Sequence, residues 1–190
     1  GLIAKGSIKP GDAILMTKGV AVEGTAIIAT EFKDRLADLG VPADEITTCQ
    51  KLLSQVSILD EARIARTISG VRAMHDITEG GLATALAEVG IAGRHKIRVH
   101  MEKIPILPQT RMICDLLKIQ PLGLIGSGSL LICCSRRDEN ELVNRITDAG
   151  IAVTCIAEVL GEGRGIEAVY RNRPTQWPVF EVDEIARFFG

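Results

Sequence analysis

Val71-Arg-Ala-Met-His-Asp-Ile-Thr-Glu-Gly-Gly-Leu-Ala-Thr-Ala-Leu-Ala-Glu-Val89 is the stretch whose reading decides the fold. A short apolar approach ends at His75 and Asp76, crosses Gly80 and Gly81, and opens into a run with helical spacing. Two glycines at a helix entrance are unfavourable, because Gly loses more backbone entropy on ordering than any other residue. They are tolerated where something must come close to the backbone. One such thing is an anion, since the first turn of a helix offers unpaired N–H groups and a partial positive charge. On that reading Gly81→Val would block the anion and leave the helix formed. A second reading is a helix cap: Asp76 and Glu79 have capping-box spacing, and Asp76→Ala would then cost about 1 kcal/mol. The same spacing recurs at Asp138 and Glu141, in Arg137-Asp-Glu-Asn-Glu-Leu-Val-Asn-Arg-Ile146, where nothing suggests chemistry. The glycine pair and His75 beside Asp76 set the first site apart, and both readings stand.

Working outward, Lys9-Pro-Gly-Asp12 reads as a turn into a strand at Ala13–Met16. A glycine-bearing loop, Thr17–Thr25, leads to a helix over Ala26–Leu39, stopped by Gly40 and Pro42. The segment Thr47–Thr67 reads as one long amphipathic helix, with Leu52, Val56, Leu59 and Arg63 along a face. After the motif, a helix spans Leu82–Ala92 and a basic, alternating strand Lys96–Met101. His95 and His100 bracket that segment, which reads as an exposed strand edge and not as a metal site. A helix over Gln109–Lys118, a strand ending at Cys134, a helix over Glu139–Asp148 and a strand over Ala152–Val159 follow. Gly161-Glu-Gly-Arg-Gly165 is expected to turn that strand into a hairpin with Ile166–Tyr170. A polar stretch, Asn172–Pro178, precedes a last short helix at Asp183–Phe189. Helices alternating with strands, plus a hairpin, predict a mixed sheet in one domain spanning 1–190.

Gly123, Gly126 and Gly128 do not make a dinucleotide fingerprint, because a strand and not a helix follows them. They read either as a flexible turn or as a cleft loop that brings Ser127 and Gly128 beside Gly80 and Gly81. Composition narrows the function classes further. The chain has a net charge of -2 and 46% hydrophobic residues, so it reads as globular and gives little support to nucleic-acid binding. Apolar runs such as Leu130–Cys134 are far too short to cross a bilayer, and no signal-peptide pattern opens the sequence, so a cytoplasmic location is expected. Cys49, Cys114, Cys133, Cys134 and Cys155 contain no metal-ligand pair spacing and read as small buried hydrophobes.

Asp76-Ile-Thr-Glu-Gly-Gly-Leu82 resembles the Asp-x-[Ser/Thr]-x-Gly-Gly element in the C-terminal domain of the aminoimidazole ribonucleotide (AIR) synthase superfamily. That superfamily includes formylglycinamidine ribonucleotide synthase, selenophosphate synthetase, thiamine-monophosphate kinase and the hydrogenase expression/formation protein. Lys9-Pro-Gly-Asp12, the Gly123–Gly128 loop into Leu130–Cys134, and Ile156-Ala-Glu-Val159 look like further landmarks in the same order. Lys18-Gly-Val-Ala-Val-Glu-Gly-Thr25 looks most like the hydrogenase-maturation branch.

The resemblance implies an α/β fold, a three-layer α/β/α domain whose mixed sheet has ferredoxin-like character. It implies that Asp76, Thr78, Gly80 and Gly81, with Ser127 and Gly128, serve a substrate or anion cleft. ATP and Mg2+ are implied for the full-length family, held mostly by an N-terminal ATP-binding domain. Gly1-Leu-Ile-Ala-Lys5 begins about where the second domain would. The isolated chain is therefore expected to lack a cofactor and catalytic turnover, to be a monomer or weak dimer, and to need that N-terminal domain as partner for a small anionic substrate. An alternative is a stand-alone binding or assembly module pairing with a separate ATP-binding partner. The hydrogenase-maturation protein carries a terminal cysteine tail, whereas this chain ends Arg187-Phe-Phe-Gly190 with Cys155 as its last cysteine, so carbamoyl chemistry on a terminal thiol is not expected.

Overall fold

Seven short strands lay down one mixed sheet, described over residues 7–189 in a computed structural model. The opening Gly1–Lys5 stretch and the terminal Gly190 lie outside the described residues. In chain order the strands are β1 (Ala13–Thr17), β2 (Val71–Asp76), β3 (His95–His100), β4 (Leu130–Cys134), β5 (Val153–Glu162), β6 (Ile166–Tyr170) and β7 (Arg173–Thr175). Their order across the sheet is β2-β4-β1-β5-β3-β6-β7. Neighbours run antiparallel except β3 and β6, which are parallel. The continuous apolar runs of β1 and β4 are explained by this order: both are inner strands, covered on both faces and buried at every position.

Helices cover the two faces. The helix α5 (Gly81–Gly93) places Leu82, Ala85, Leu86 and Val89 against Ile14, Met16, Leu131, Ile97 and Val99. On the other face α4 (Leu59–Ala65) and α7 (Glu139–Asp148) bring Ala65, Leu142 and Ile146 onto Leu15, Ile132 and Cys134. A third cluster joins α1 (Val22–Glu31), α2 (Lys33–Asp38), α3 (Ala43–Lys51) and α6 (Pro108–Leu117) around Ile28, Leu36, Ile46, Cys49, Ile113 and Leu117. The described residues end in α8 (Ala186–Phe189). The expected α/β class with a mixed sheet is what the chain forms.

Four local expectations are corrected. Gly161–Gly165 does not close a hairpin: β3 lies between β5 and β6, so the turn spans an occupied strand position and β6 pairs with β3 instead. For the same reason β3 is an inner strand, not an exposed edge. Its alternation sends Ile97 and Val99 into the core and Arg98 onto the open face, 3.2 Å from Glu158 and 3.3 Å from Glu167. The long helix expected over Thr47–Thr67 is broken. After α3 a short 3-10 turn, Leu52–Gln55, leads through an irregular link to α4, and Leu59 is 60% exposed. The physical cause is Lys18, whose ammonium takes the carbonyls of Gln55 (3.0 Å) and Ser57 (2.6 Å) out of helical register. The first helix also begins earlier than expected, at Val22, with Gly24 inside it. A Cβ on Gly24 would lie 2.6 Å from the Leu124 side chain and 2.7 Å from the Ile125 carbonyl.

Candidate functional site

β2 delivers the motif at the sheet edge. His75 is buried under α5, its Nε2 2.5 Å from Glu88 and its Nδ1 3.5 Å from Asp76. Asp76 itself is exposed, as are Thr78 and Glu79. Ile77 returns to the core and its N–H donates to the Ser129 carbonyl at 3.0 Å. The Thr78 carbonyl then accepts from Gly81 N (3.1 Å) and from Gly126 N (3.2 Å). The turn is thus stitched to the 121–129 connection, which is why Gly126 sits between Ile77 and the amide of Ala21.

Each glycine of the pair has an internal reason. Gly80 (φ 78°) and Gly81 (φ 63°) are both left-handed, a region that L side chains rarely adopt. A Cβ on Gly81 would stand 2.6 Å from the Leu122 carbonyl and 2.7 Å from that of Leu124. The close approach at Gly81 is therefore made by the protein's own backbone. Gly128 is buried as well, against Gln55, Val56 and Val22, and its carbonyl accepts from Lys18 Nζ at 2.8 Å. Ser127 is half-buried beside it.

The cap expectation is overturned at both places. Helix α5 starts at Gly81, with Gly80 at the N-cap position, so Asp76 lies too far upstream to reach first-turn amides. At α7, Asp138 occupies the N-cap position but makes no side-chain cap bond, and its carboxylate packs where a Gly70 Cβ would be. The acid that serves the glycine turn comes from the far end of the chain. Asp183, 5% exposed, accepts from Gly80 N through Oδ2 (2.7 Å) and from Ile125 N (3.2 Å) and Ile185 N (2.9 Å) through Oδ1. Beside it Glu184 accepts from Gln120 N at 2.9 Å and donates its own N–H to the Gly123 carbonyl at 3.0 Å. Phe180 lies flat against Gly123, where any Cβ would collide with the ring.

We expect Asp76→Ala to change stability by no more than about 0.5 kcal/mol, as for an exposed surface group. Asp183→Ala should cost about 1–3 kcal/mol, because it leaves three partly buried amides without this acceptor. Urea unfolding of the two variants checks the order, and equal losses would restore Asp76 as a cap.

A second polar cluster lies at the end of β1 and was not foreseen. Lys18, left-handed at φ 54°, donates to Gln55, Ser57 and Gly128 carbonyls and pairs with Glu61 Oε1 at 2.9 Å. Glu61 is 1% exposed and also accepts from the Thr17 hydroxyl at 3.2 Å. The sequence carries a faint signal for it, a lysine directly after an apolar strand and before Gly19. The cysteines behave as read: all five are free, and four are buried. Burial pushes the Cys49 thiol up to about 11 and those of Cys114, Cys133 and Cys134 up to about 12, and it raises Cys155 too. The four buried thiols lack the electropositive, accessible surroundings of a reactive cysteine, while the half-buried Cys155 has the Arg136 guanidinium 3.7 Å from its sulfur and is still raised overall by burial.

The chain is similar to known proteins in sequence and in fold. The carbamoyl dehydratase HypE of Cupriavidus necator is 28% identical over 167 residues, covering 86% of this chain but 44% of that protein. The crystal structure of Escherichia coli HypE superposes with a TM-score of 0.75 at 22% identity, over 95% of this chain and 54% of that one. A structure of HypE in complex with ATP gives a TM-score of 0.70 at 18% identity, over 96% and 54%. The chain thus spans about half the length of the relatives it matches. The family described as AIR synthase related protein, C-terminal domain, matches residues 9–169, and on the fold and this match the chain belongs to it.

Proposed function

We propose that the chain acts as the C-terminal domain of an ATP-dependent protein similar to the hydrogenase-maturation relatives. In this reading it supplies one wall of a cleft, and an upstream ATP-binding domain supplies the other. Asp76, Thr78 and Ser127 face that cleft with the Gly80 amide, while Gly81 and Gly128 hold the backbone in place from beneath. The ligand is a small anion of phosphate or sulfate type. The carrying observation is the match itself, which runs over most of this chain and under half of the Cupriavidus necator protein. The exposed side chains of Asp76, Thr78 and Glu79 at the strand-to-helix turn support the placement.

Among the described residues no group of three His, Cys, Asp or Glu is gathered as a cation site. Phosphoryl transfer depends on positioned metal and charge-stabilising groups, so no step of it is assigned to this chain. Among the described residues, no helix is long and apolar enough to cross a membrane.

The test is a phosphate-release assay on the isolated chain with ATP, Mg2+ and candidate acceptors. We expect no turnover above a no-protein control. Turnover that survives repurification and disappears in Asp76→Ala would overturn the reading. The length of the native reading frame is the second test. A frame extending upstream by a domain's length supports a two-domain protein, whereas one starting near Gly1 replaces it with a module that pairs with a separate ATP-binding partner.

A further inference from the structure

In the first turn of α1, Glu23 encloses a carboxylate oxygen, Oε2, that no donor of the protein satisfies. We propose that Glu23 is a further binding subsite, at the rim of the cleft read above, and that it takes a protonated amine of the alkylammonium type. The subsite borders that cleft, yet it stands on its own observations.

The first turn of α1 is laid along the connection that carries Ser127. Gly24 N donates to the Ile125 carbonyl at 3.1 Å. A Cβ on Gly126 would lie 3.5 Å from Ala21 N, and one on Gly128 would lie 3.2 Å from Val22 Cγ1. Gly126 N in turn donates to the Thr78 carbonyl, so three segments meet around this glycine. From Gly19 to Ala26 every residue is buried except Glu23, which is half-buried. Glu23 is therefore the polar side chain that α1 brings to the surface beside Ser127 and Thr78.

An enclosed acceptor without a donor is unfavourable, and a charged one more so. Native proteins keep few such groups, and each calls for a reason. A favourable place near the positive end of α1 is one, but it would not require an oxygen to be enclosed without a bond. The loop's own cation is already engaged: Lys18 is held by Glu61 and by the Gln55, Ser57 and Gly128 carbonyls. A metal ion is not the match, because Glu23 belongs to no gathered set of His, Cys, Asp or Glu among the described residues. One enclosed oxygen suits a single charged N–H donor. A guanidinium, which pairs two donors with two carboxylate oxygens, fits it less well.

The experiment is an NMR titration of the full chain with methylammonium, reading the Glu23 side-chain carboxyl and the Gly24 and Ser127 amides. In wild type these signals should move together, with half-saturation on the order of 10 mM for so small a ligand. The exposed carboxyl of Glu31 in the same sample should respond only at much higher concentration. Glu23→Gln should weaken binding at least tenfold, and tetramethylammonium, which has the charge but no N–H, should not bind. A Glu23 response no stronger than that of Glu31, or one that tetramethylammonium reproduces, overturns the subsite. A second measurement does not depend on the probe. Glu23→Met removes the unsatisfied charge, so it should melt above wild type, by about 2–10 °C. Melting below wild type would mean that the carboxylate has a stabilising partner inside the protein, and it overturns the proposal as well. The source of the amine is read by comparing 2-aminoethyl phosphate with an N-acetyl-lysine amide. Tighter binding of the first assigns the amine to a small ligand that also carries the anion, and tighter binding of the second assigns it to a lysine side chain. Methylammonium binding without any response to inorganic phosphate leaves the subsite standing and removes only the anion reading.

Discussion

Gly81→Val is expected to cost the fold about 2–5 kcal/mol, the sum of a left-handed β-branched residue and an overpacked contact. Two independent features add here. The φ of 63° is unfavourable for any side chain, and the added Cβ would meet the carbonyls of Leu122 and Leu124 at 2.6 and 2.7 Å. Both obstacles are backbone, which cannot rotate away as a side chain can. The 121–129 connection must then withdraw, breaking the bond from Gly126 N to Thr78 and unseating Asp183 from Ile125. The substitution therefore damages the turn itself, and it is no selective block of a ligand over an intact helix. Gly11→Ala and Gly40→Ala are the controls. Both positions have positive φ, 86° and 88°, with nothing within 4 Å of a new Cβ, so each should lose only about 1–2 kcal/mol. Urea unfolding of the three variants decides the matter. A Gly81→Val protein as stable as Gly11→Ala would mean that the backbone contact is not what selects glycine.

The contrast between Gly81 and Gly40 marks what a sequence can and cannot disclose. Both are legible as glycines near helix ends, but the backbone that presses on Gly81 comes from a loop some forty residues on. Local signals did well where local physics governs. The apolar runs of β1 and β4, the amphipathic α7 and the Pro-led start of α6 follow from periodicity and capping chemistry. They failed where a distant group overrode the pattern. Thr47–Thr67 has helical spacing, yet Lys18 draws the Gln55 and Ser57 carbonyls out of the helix from 37 and 39 positions away. Gly161–Gly165 has hairpin chemistry, yet β3 had already claimed the position beside β5.

The candidate site divides the same way. The turn was readable from His75, Asp76 and the glycine pair, because strand, turn and helix are contiguous. The acid that serves it was not, because Asp183 is 103 positions from Gly80. In the sequence Asp183 looks like the start of a short terminal helix, and it does accept from Ile185 N in that role. Its second role exists only after the tail has packed. Capping-box spacing is a weak guide here for a related reason: Asp76 has the spacing, but α5 starts only at Gly81, with Gly80 at its N-cap, beyond the reach of Asp76.

Lys18→Met is the second large effect, and the loss should be about 3–5 kcal/mol, the range for removing one partner of a buried ion pair. Lys18 is 15% exposed at its side chain and Glu61 1%. Removing the ammonium leaves Glu61 with the Thr17 hydroxyl as its remaining partner, and that hydroxyl already accepts from Leu130 N. It also strips a donor from the carbonyls of Gln55, Ser57 and Gly128. The two contributions separate in a double-mutant cycle. Glu61→Gln in the Lys18→Met background removes the uncompensated charge, so the double variant should be more stable than Lys18→Met alone. What remains of the loss belongs to the three carbonyls. It should appear as faster amide exchange in the Leu52–Ser57 segment, because that link is held to the core through the lysine. Additive losses in the cycle would show that Lys18 acts on the carbonyls alone. A Lys18→Met loss under about 1 kcal/mol, the level of a surface pair, would show that the cluster is not what fixes the break between α3 and α4.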